Sequence, residues 1–230
     1  MIALRTAGSR GYADHGWLQS WHSFSFADYY DPAEMGWGAL RVINEDVVAP
    51  GEGFPMHGHR DMEIVTVILA GALEHRDSLG NGAVIRPGEV QRMSAGLGVR
   101  HSEFNPSPEV ATHLLQIWIR PARSGATPGY EQREISLAPG ATLLASPDGR
   151  DGSVAIGQDA TLQRVRLVAD EIFVPDLAPD RFGYAHLISG VLETGDFPLS
   201  TGDGLKAHDA PGLRLTAASA ADFLWFDLPA

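Results

Sequence analysis

At 230 residues, with 44% apolar and 20% charged side chains, the chain is long enough for one large β-barrel or two small domains and is not a disordered polypeptide. Seventeen Lys and Arg against 29 Asp and Glu leave a net charge of −12, and no cationic cluster of the kind that displaces counterions from phosphates, which argues against direct nucleic-acid or anionic-membrane binding. The absence of cysteine excludes disulfides, thiolate chemistry and Cys-ligated zinc or iron–sulfur sites together, so any metal must sit on histidine and carboxylate.

From Met1 to Trp17 there is no apolar core that would read as a signal peptide. The longest apolar stretch, Ile64 to Leu73, contains Thr66 and Gly71 and falls far short of the about 20 residues of a membrane span, so a cytoplasmic protein is expected. Twenty-six glycines and 15 prolines favour short elements joined by tight turns. Helical turns are expected around Asp28 to Met35. The first clear strand is Leu40 to Val48, stopped at Pro50-Gly51. Glu63 to His75 is rich in Ile, Val and Leu and closes at a hairpin-like turn, Asp77 to Gly82. Ala83 to Arg86, Val90 to Met93 and Thr112 to Arg120 follow, each ended by Gly or Pro. Such short strands at even spacing predict an antiparallel barrel or sandwich. Arg123 to Tyr130 reads as a linker, and a last helical turn is expected near Ala217 to Ala221.

The second half repeats the first weakly. Ile68 to Glu74 (ILAGALE) resembles Leu187 to Glu193 (LISGVLE) at an offset of 119, which suggests two stacked barrels from duplication.

Nine histidines are spread along the chain. His57 and His59 form one i,i+2 pair, and His101 and Glu103 form another. On a strand, residues two apart point to the same face, about 6.6 Å apart. Two such pairs on adjacent strands would aim three imidazoles and one carboxylate at a common point, a donor set suited to a divalent first-row metal and leaving it a net charge of +1. A lone His-x-His beside a Gly/Pro turn is ordinarily a polar loop; the second pair is what favours a site. His15, His22, His75, His113, His186 and His208 have no such partners and are expected to be surface or hydrogen-bonded histidines.

These segments carry a resemblance. Gly51-x5-His57-x-His59-x3-Glu63 followed by Gly71 resembles the first cupin motif, with its closing glycine one residue late. Gly88-x5-Ser94-Ala95-Gly96-x4-His101-x3-Asn105 resembles the second, with Ser for its usual Pro and two extra residues before the His. WLQSWHSFSFADYYDPAEM from Trp17, LRVINEDVVAPGEGFPMHGHRDMEIVT from Leu40 and RMSAGLGVRHSEFN from Arg92 resemble the pirin family, and most closely its bacterial quercetin-dioxygenase-like members. The likeness is dense from Gly11 to about Pro121 and holds by layout beyond it.

The resemblance implies an all-β bicupin: two stacked jelly-roll barrels with few short helices, residues 1–122 carrying the metal and residues 123–230 forming a barrel without metal ligands. At the offset of 119, His57 and His59 fall on Asp176 and Ala178. It places the metal ligands on His57, His59, His101 and Glu103. Glu63, a ligand position in many other cupins, is left outside that set, in a supporting or strand-surface role. The implied metal is iron, with zinc, nickel, cobalt, manganese or copper also compatible with the donors. The implied reaction is cleavage of a flavonol such as quercetin by dioxygen with release of carbon monoxide, Glu103 accepting the substrate proton. A flat aromatic needs a mostly apolar pocket; Phe54, Met56 and Phe26 are its expected lining, with barrel core the alternative for Phe24 and Phe26. Arg60 and Arg100 alternate to the other strand face and are expected outside. The competing reading is an iron-redox sensor or protein-binding regulatory module with only promiscuous flavonol cleavage.

Overall fold

The structure is a computed structural model that describes residues 1–195 and 197–230. Two seven-stranded and two four-stranded sheets, antiparallel but for one short pairing, build two jelly-roll barrels. Each barrel faces a seven-stranded sheet with a four-stranded one. In the first, Leu18, Val48, Ile68 and Leu114 of the large sheet meet Leu73 and Ile85 of the small one in a common core. In the second, Val165, Leu187, Phe223 and Trp225 pack on Leu192, Leu199 and Leu215.

The alternation of side chains along a strand explains how the barrels stack. In the strand Thr112–Ile119, Leu115, Ile117 and Ile119 point out of the first barrel and pack against Leu162, Leu224, Phe226 and Leu228 of the second. Leu114, Gln116 and Trp118 point the other way, into the first barrel. The strand Leu40–Val48 divides in the same manner, Ile43 joining the shared core while Asn44, Asp46 and Val48 face inward. The two large sheets are therefore buried on both faces, and a polar residue on the inner face stands out.

The expected run Glu63 to His75 is broken into Glu63–Ala70 and Leu73–Asp77. Gly71 makes the break at φ +77°, and the matching Gly190 in the weak repeat turns at φ +94° between Phe182–Ser189 and Val191–Glu193. The helical turns expected around residues 28–35 and 217–221 are absent: the first is a run of turns and bends around Pro32, and the second is a bend at residues 218–220, around Ser219, that joins the strands Leu215–Ala217 and Ala221–Leu228. Short 3₁₀ turns lie instead at Ala7–Ser9 and Arg150–Gly152, and the described residues include no α-helix. Among the described residues no helix is long and apolar enough to cross a membrane.

Strands cross between the barrels near both ends of the first half. Ile2–Arg5 pairs with Gly204–His208 in the second barrel, and Gly129–Glu134 pairs with Glu89–Ser94 in the first. The stretch read as a linker is pinned down as well: Gly125 donates to Asp61 and Leu97 to the Ala126 carbonyl before Gly129 enters the sheet.

Candidate metal centre and cavity

Gly53–His59 and Val99–Phe104 are antiparallel neighbours, with His101 opposite His57 and Glu103 opposite Phe54. Three residues on one strand thus span two on the other, and this β-bulge re-aims the side chains. Phe54, His57 and His59 all turn inward, although strict alternation from Phe54 would have sent His57 outward. The Nε2 atoms of His59 and His101 lie 2.8 Å apart, and the donor nitrogens of His57, His59 and His101 fall within 4.8 Å of one another. His57 donates from Nδ1 to the Pro55 carbonyl at 2.8 Å, which leaves its Nε2 as the lone-pair nitrogen. Burial, reinforced by the neighbouring imidazoles, pushes His59 down to about 4 and His101 down to about 2, so both rings are neutral donors at physiological pH.

Glu103 is buried, and its Oε2 accepts from Gln116 Nε2 at 2.8 Å while Oε1 has no partner. Its carboxylate groups within 4.8 Å of His101 and His75, and not in the cluster that His57 and His59 form. Burial lifts the Glu103 carboxyl to about 7, against the lowering effect of the Gln116 hydrogen bond.

The inner faces of these strands open onto a cavity of about 650 Å³, within the range of small-molecule sites. Aromatic rings form one part of its wall. Trp118 stands edge-on to His59 at 4.9 Å and to Phe26 at 5.3 Å, and Trp17 edge-on to Phe54 at 5.2 Å. A polar patch forms another part. Ser20 and His22 sit opposite Asp46 and Asn44 across the ladder; Ser20 donates to Asp46, and His22 Nδ1 lies 2.9 Å from the Asn44 carbonyl oxygen. Burial raises the Asp46 carboxyl to about 7.

A family model described as Pirin matches residues 3–119, and one described as the quercetinase C-terminal cupin domain matches residues 143–228. The chain belongs to the pirin family. It is 49% identical over 229 residues to the quercetin 2,3-dioxygenase of Escherichia coli strain K12, covering 100% of this chain and 99% of that protein. The crystal structure of YhhW from Escherichia coli superposes with a TM-score of 0.97 at 49% identity, covering 100% of this chain and 98% of that one. The structure of the bacterial pirin YhhW in complex with nickel(II) matches with a TM-score of 0.96 at 49% identity, over 100% and 99% of the two chains.

In this pirin, Phe54 and Phe26 line the cavity, but Met56 does not. The bulge between Phe54 and His57 throws Met56 outward, where it is 47% exposed. Phe24 is barrel-to-barrel core, packed on Tyr184. Arg60 and Arg100 are exposed. Glu63 shares the outward face of Val65 and Val67: its carboxylate accepts from Ser94 at 2.7 Å and stands against Gly157 of the second barrel, so it supports the stacking of the barrels and not the donor cluster.

The residues that sequence reasoning passed over are Ser20, Asn44, Asp46, Gln116 and Trp118 on the cavity wall and His75 behind His101. One signal was available. Asn44 and Asp46 in LRVINEDVV alternate onto the face of Val42 and Val48, and Gln116 in THLLQIWIR onto that of Leu114 and Trp118, so each is a polar group on an otherwise apolar strand face, where it needs a partner or a ligand.

Proposed function

We propose that this pirin is a metal-dependent dioxygenase acting on a flavonol such as quercetin, with His57, His59, His101 and Glu103 holding one divalent transition metal. One observation carries the reading. The donor nitrogens of His57, His59 and His101 converge within 4.8 Å of one another, and His101 also adjoins a buried Glu103 whose Oε1 has no hydrogen-bond partner, at the wall of an aromatic-lined cavity. A buried carboxylate with a free oxygen is costly without a cation or a donor, and three neutral nitrogens with one anion suit iron, nickel, cobalt, manganese or copper, so the residues fit the group. Oxygen chemistry favours iron among these; the related YhhW complex contains nickel(II). The relatives named as quercetin 2,3-dioxygenases support the substrate class.

When bound, such an ion supplies a cationic, redox-capable centre for oxygen chemistry. The protein supplies the rest. Glu103, held at Oε2 by Gln116, is placed to take the proton of the flavonol 3-hydroxyl at Oε1. Trp118, Phe26, Phe54 and Trp17 hold the flat rings and exclude water, and the Ser20–Asp46 and His22–Asn44 pairs offer hydrogen bonds to ring hydroxyls. In the overall reaction dioxygen and the flavonol give a ring-opened ester that keeps both oxygen atoms, and the excised carbon leaves as carbon monoxide.

The test is anaerobic loading with iron(II) or nickel(II), followed by quercetin and dioxygen. One carbon monoxide per flavonol and per dioxygen consumed is expected. No turnover with any of the compatible metals would overturn the activity. His57→Ala and His101→Ala should each lose the metal by inductively coupled plasma analysis, and full occupancy in either would overturn the ligand set.

A further inference from the structure

The turn that closes the strand Leu73–Asp77 is tied to the donor cluster. Asp77 Oδ1 accepts from the backbone N–H groups of Leu79 and Asn81, both at 2.9 Å, and Oδ2 accepts from Asn81 Nδ2 at 2.8 Å. Oδ2 also lies 3.3 Å from Nε2 of His75, two residues earlier on the same strand face, and both side chains are fully buried. His75 stacks on Tyr130 at 4.9 Å, and its Nδ1 lies 3.3 Å from Nδ1 of His101. The far nitrogen of His101, Nε2, is the one that meets His59.

The order of donors along this chain has one solution. An ionised carboxylate only accepts, so His75 carries its proton on Nε2. The neutral ring then presents a lone pair at Nδ1, which accepts from Nδ1–H of His101. His101 is left with its lone pair on Nε2, aimed at the other two histidines. Both nitrogens of His75 are thereby engaged, which takes it out of the donor set despite its closeness to Glu103.

We propose that Asp77 and His75 form a positioning relay that locks the tautomer and the ring orientation of His101 at the metal centre. The proposal rests on the ligand reading above. Hydrogen-bond partners behind a ligating histidine fix its tautomer and raise its basicity, and their loss costs about 10–100-fold in metal affinity or activity. The sequence motif LEHRDSLGNG would then combine a structural hairpin with this support, its Asp capping the turn and holding the relay through one carboxylate.

Two measurements test it. Long-range proton–nitrogen correlation spectra of ¹⁵N-labelled, zinc-loaded protein read the protonated nitrogen of each ring directly. His101 protonated at Nδ1 and His75 at Nε2 are expected; His101 protonated at Nε2, or His75 at Nδ1, would overturn the relay without any variant being made. Nickel(II) titration then compares His75→Phe, which keeps a ring against Tyr130 but has no nitrogen, with His75→Asn, whose amide oxygen can stand in for Nδ1. A 10–100-fold weaker nickel affinity in His75→Phe, recovering to within about three-fold in His75→Asn, is expected. Affinity within about two-fold of wild type in His75→Phe would refute the relay, and total loss of nickel in that variant would make His75 a ligand instead. His101→Ala separates the two levels: loss of nickel there with an unaffected His75→Phe removes only the relay, whereas retained nickel removes the metal centre and the relay with it.

Discussion

Gln116 donates from Nε2 to Oε2 of Glu103 at 2.8 Å, and Trp118 Nε1 donates to Oε1 of Gln116 at 3.3 Å. One oxygen of the buried carboxylate is fixed by this chain and the other is left free. Gln116→Leu keeps the volume but strips the donor. The expected outcome is retained metal, a KM for quercetin within about three-fold, and a kcat lower by about 10–100-fold, because the carboxylate is no longer held in place. An unchanged kcat would show that Glu103 needs no such anchor.

Phe54 and Met56 are two residues apart yet face opposite sides, so the bulge between them makes a contrast that kinetics can read. Phe54 packs edge-on against Trp17 at the cavity wall, whereas Met56 is 47% exposed. Removing a ring that buries substrate surface costs roughly 1.5–3 kcal/mol, which corresponds to a KM raised by about ten-fold or more in Phe54→Ala. Met56→Ala should stay within about two-fold. Equal effects in the two variants would mean that the bulge does not separate them in solution.

That pair also marks where the sequence stops being readable. The two His-containing i,i+2 pairs, the strand pattern and the weak repeat all follow from periodicity, and the structure brings His57, His59 and His101 together. Periodicity fails at Met56 because a bulge shifts the phase by one residue; Pro55, which cannot donate to a ladder, marks an edge or a bulge there without saying which. His75 is a different case: Asp77 stands two residues on in the same strand, a third i,i+2 pair, but its second partner, His101, comes from a neighbouring strand that the sequence does not bring beside it. Glu63 is left outside the donor set by the sequence and by the structure alike; what the sequence does not say is that its supporting role is toward the second barrel, because which face of a doubly buried strand looks into the first barrel depends on the second, and Val65 and Val67 are equally apolar on either choice.

Gly71 tests the break that ends the strand Glu63–Ala70. It has φ +77°, and a Cβ there would meet the Ala111 carbonyl oxygen at 2.7 Å and Thr112 Cα at 3.0 Å, both backbone atoms that cannot swing aside. Gly51 has φ +71° but nothing within 4 Å of such a Cβ. Alanine at Gly51 should therefore cost only the conformational term, about 1–2 kcal/mol, and alanine at Gly71 about 2–4 kcal/mol. Urea unfolding of the two variants measures the difference; equal losses would show that the backbone around residue 111 yields.

His186 carries the clearest pH dependence away from the donor cluster. The ring is fully buried, its Nδ1 has no partner, and burial together with the nearby Arg10 charge pushes it from the ordinary 6.5 down to about 4. The folded state thus holds the ring neutral where the unfolded chain would protonate it. Above pH 6.5 neither state binds the proton and the group contributes nothing to the pH dependence. As the pH falls from 6.5 toward 4 the unfolded state alone gains protons, so stability is lost, on the order of 3 kcal/mol across that window. Glu45 in the same neighbourhood acts lower: burial alone would raise its carboxyl, but hydrogen bonds from His113 and Arg10 hold it down at about 2, so its contribution fades only below the ordinary carboxylate range. Buried Asp46 shifts the opposite way and has no coupling to His186, so comparing variant with wild type cancels it, while Glu45, whose charge is coupled to His186, is kept out by ending the comparison at pH 4.5. In His186→Leu the free energy of urea unfolding should lose about 2–3 kcal/mol less than wild type between pH 7.5 and 4.5. Parallel pH profiles would mean that the ring takes up its proton in the folded state with an ordinary affinity.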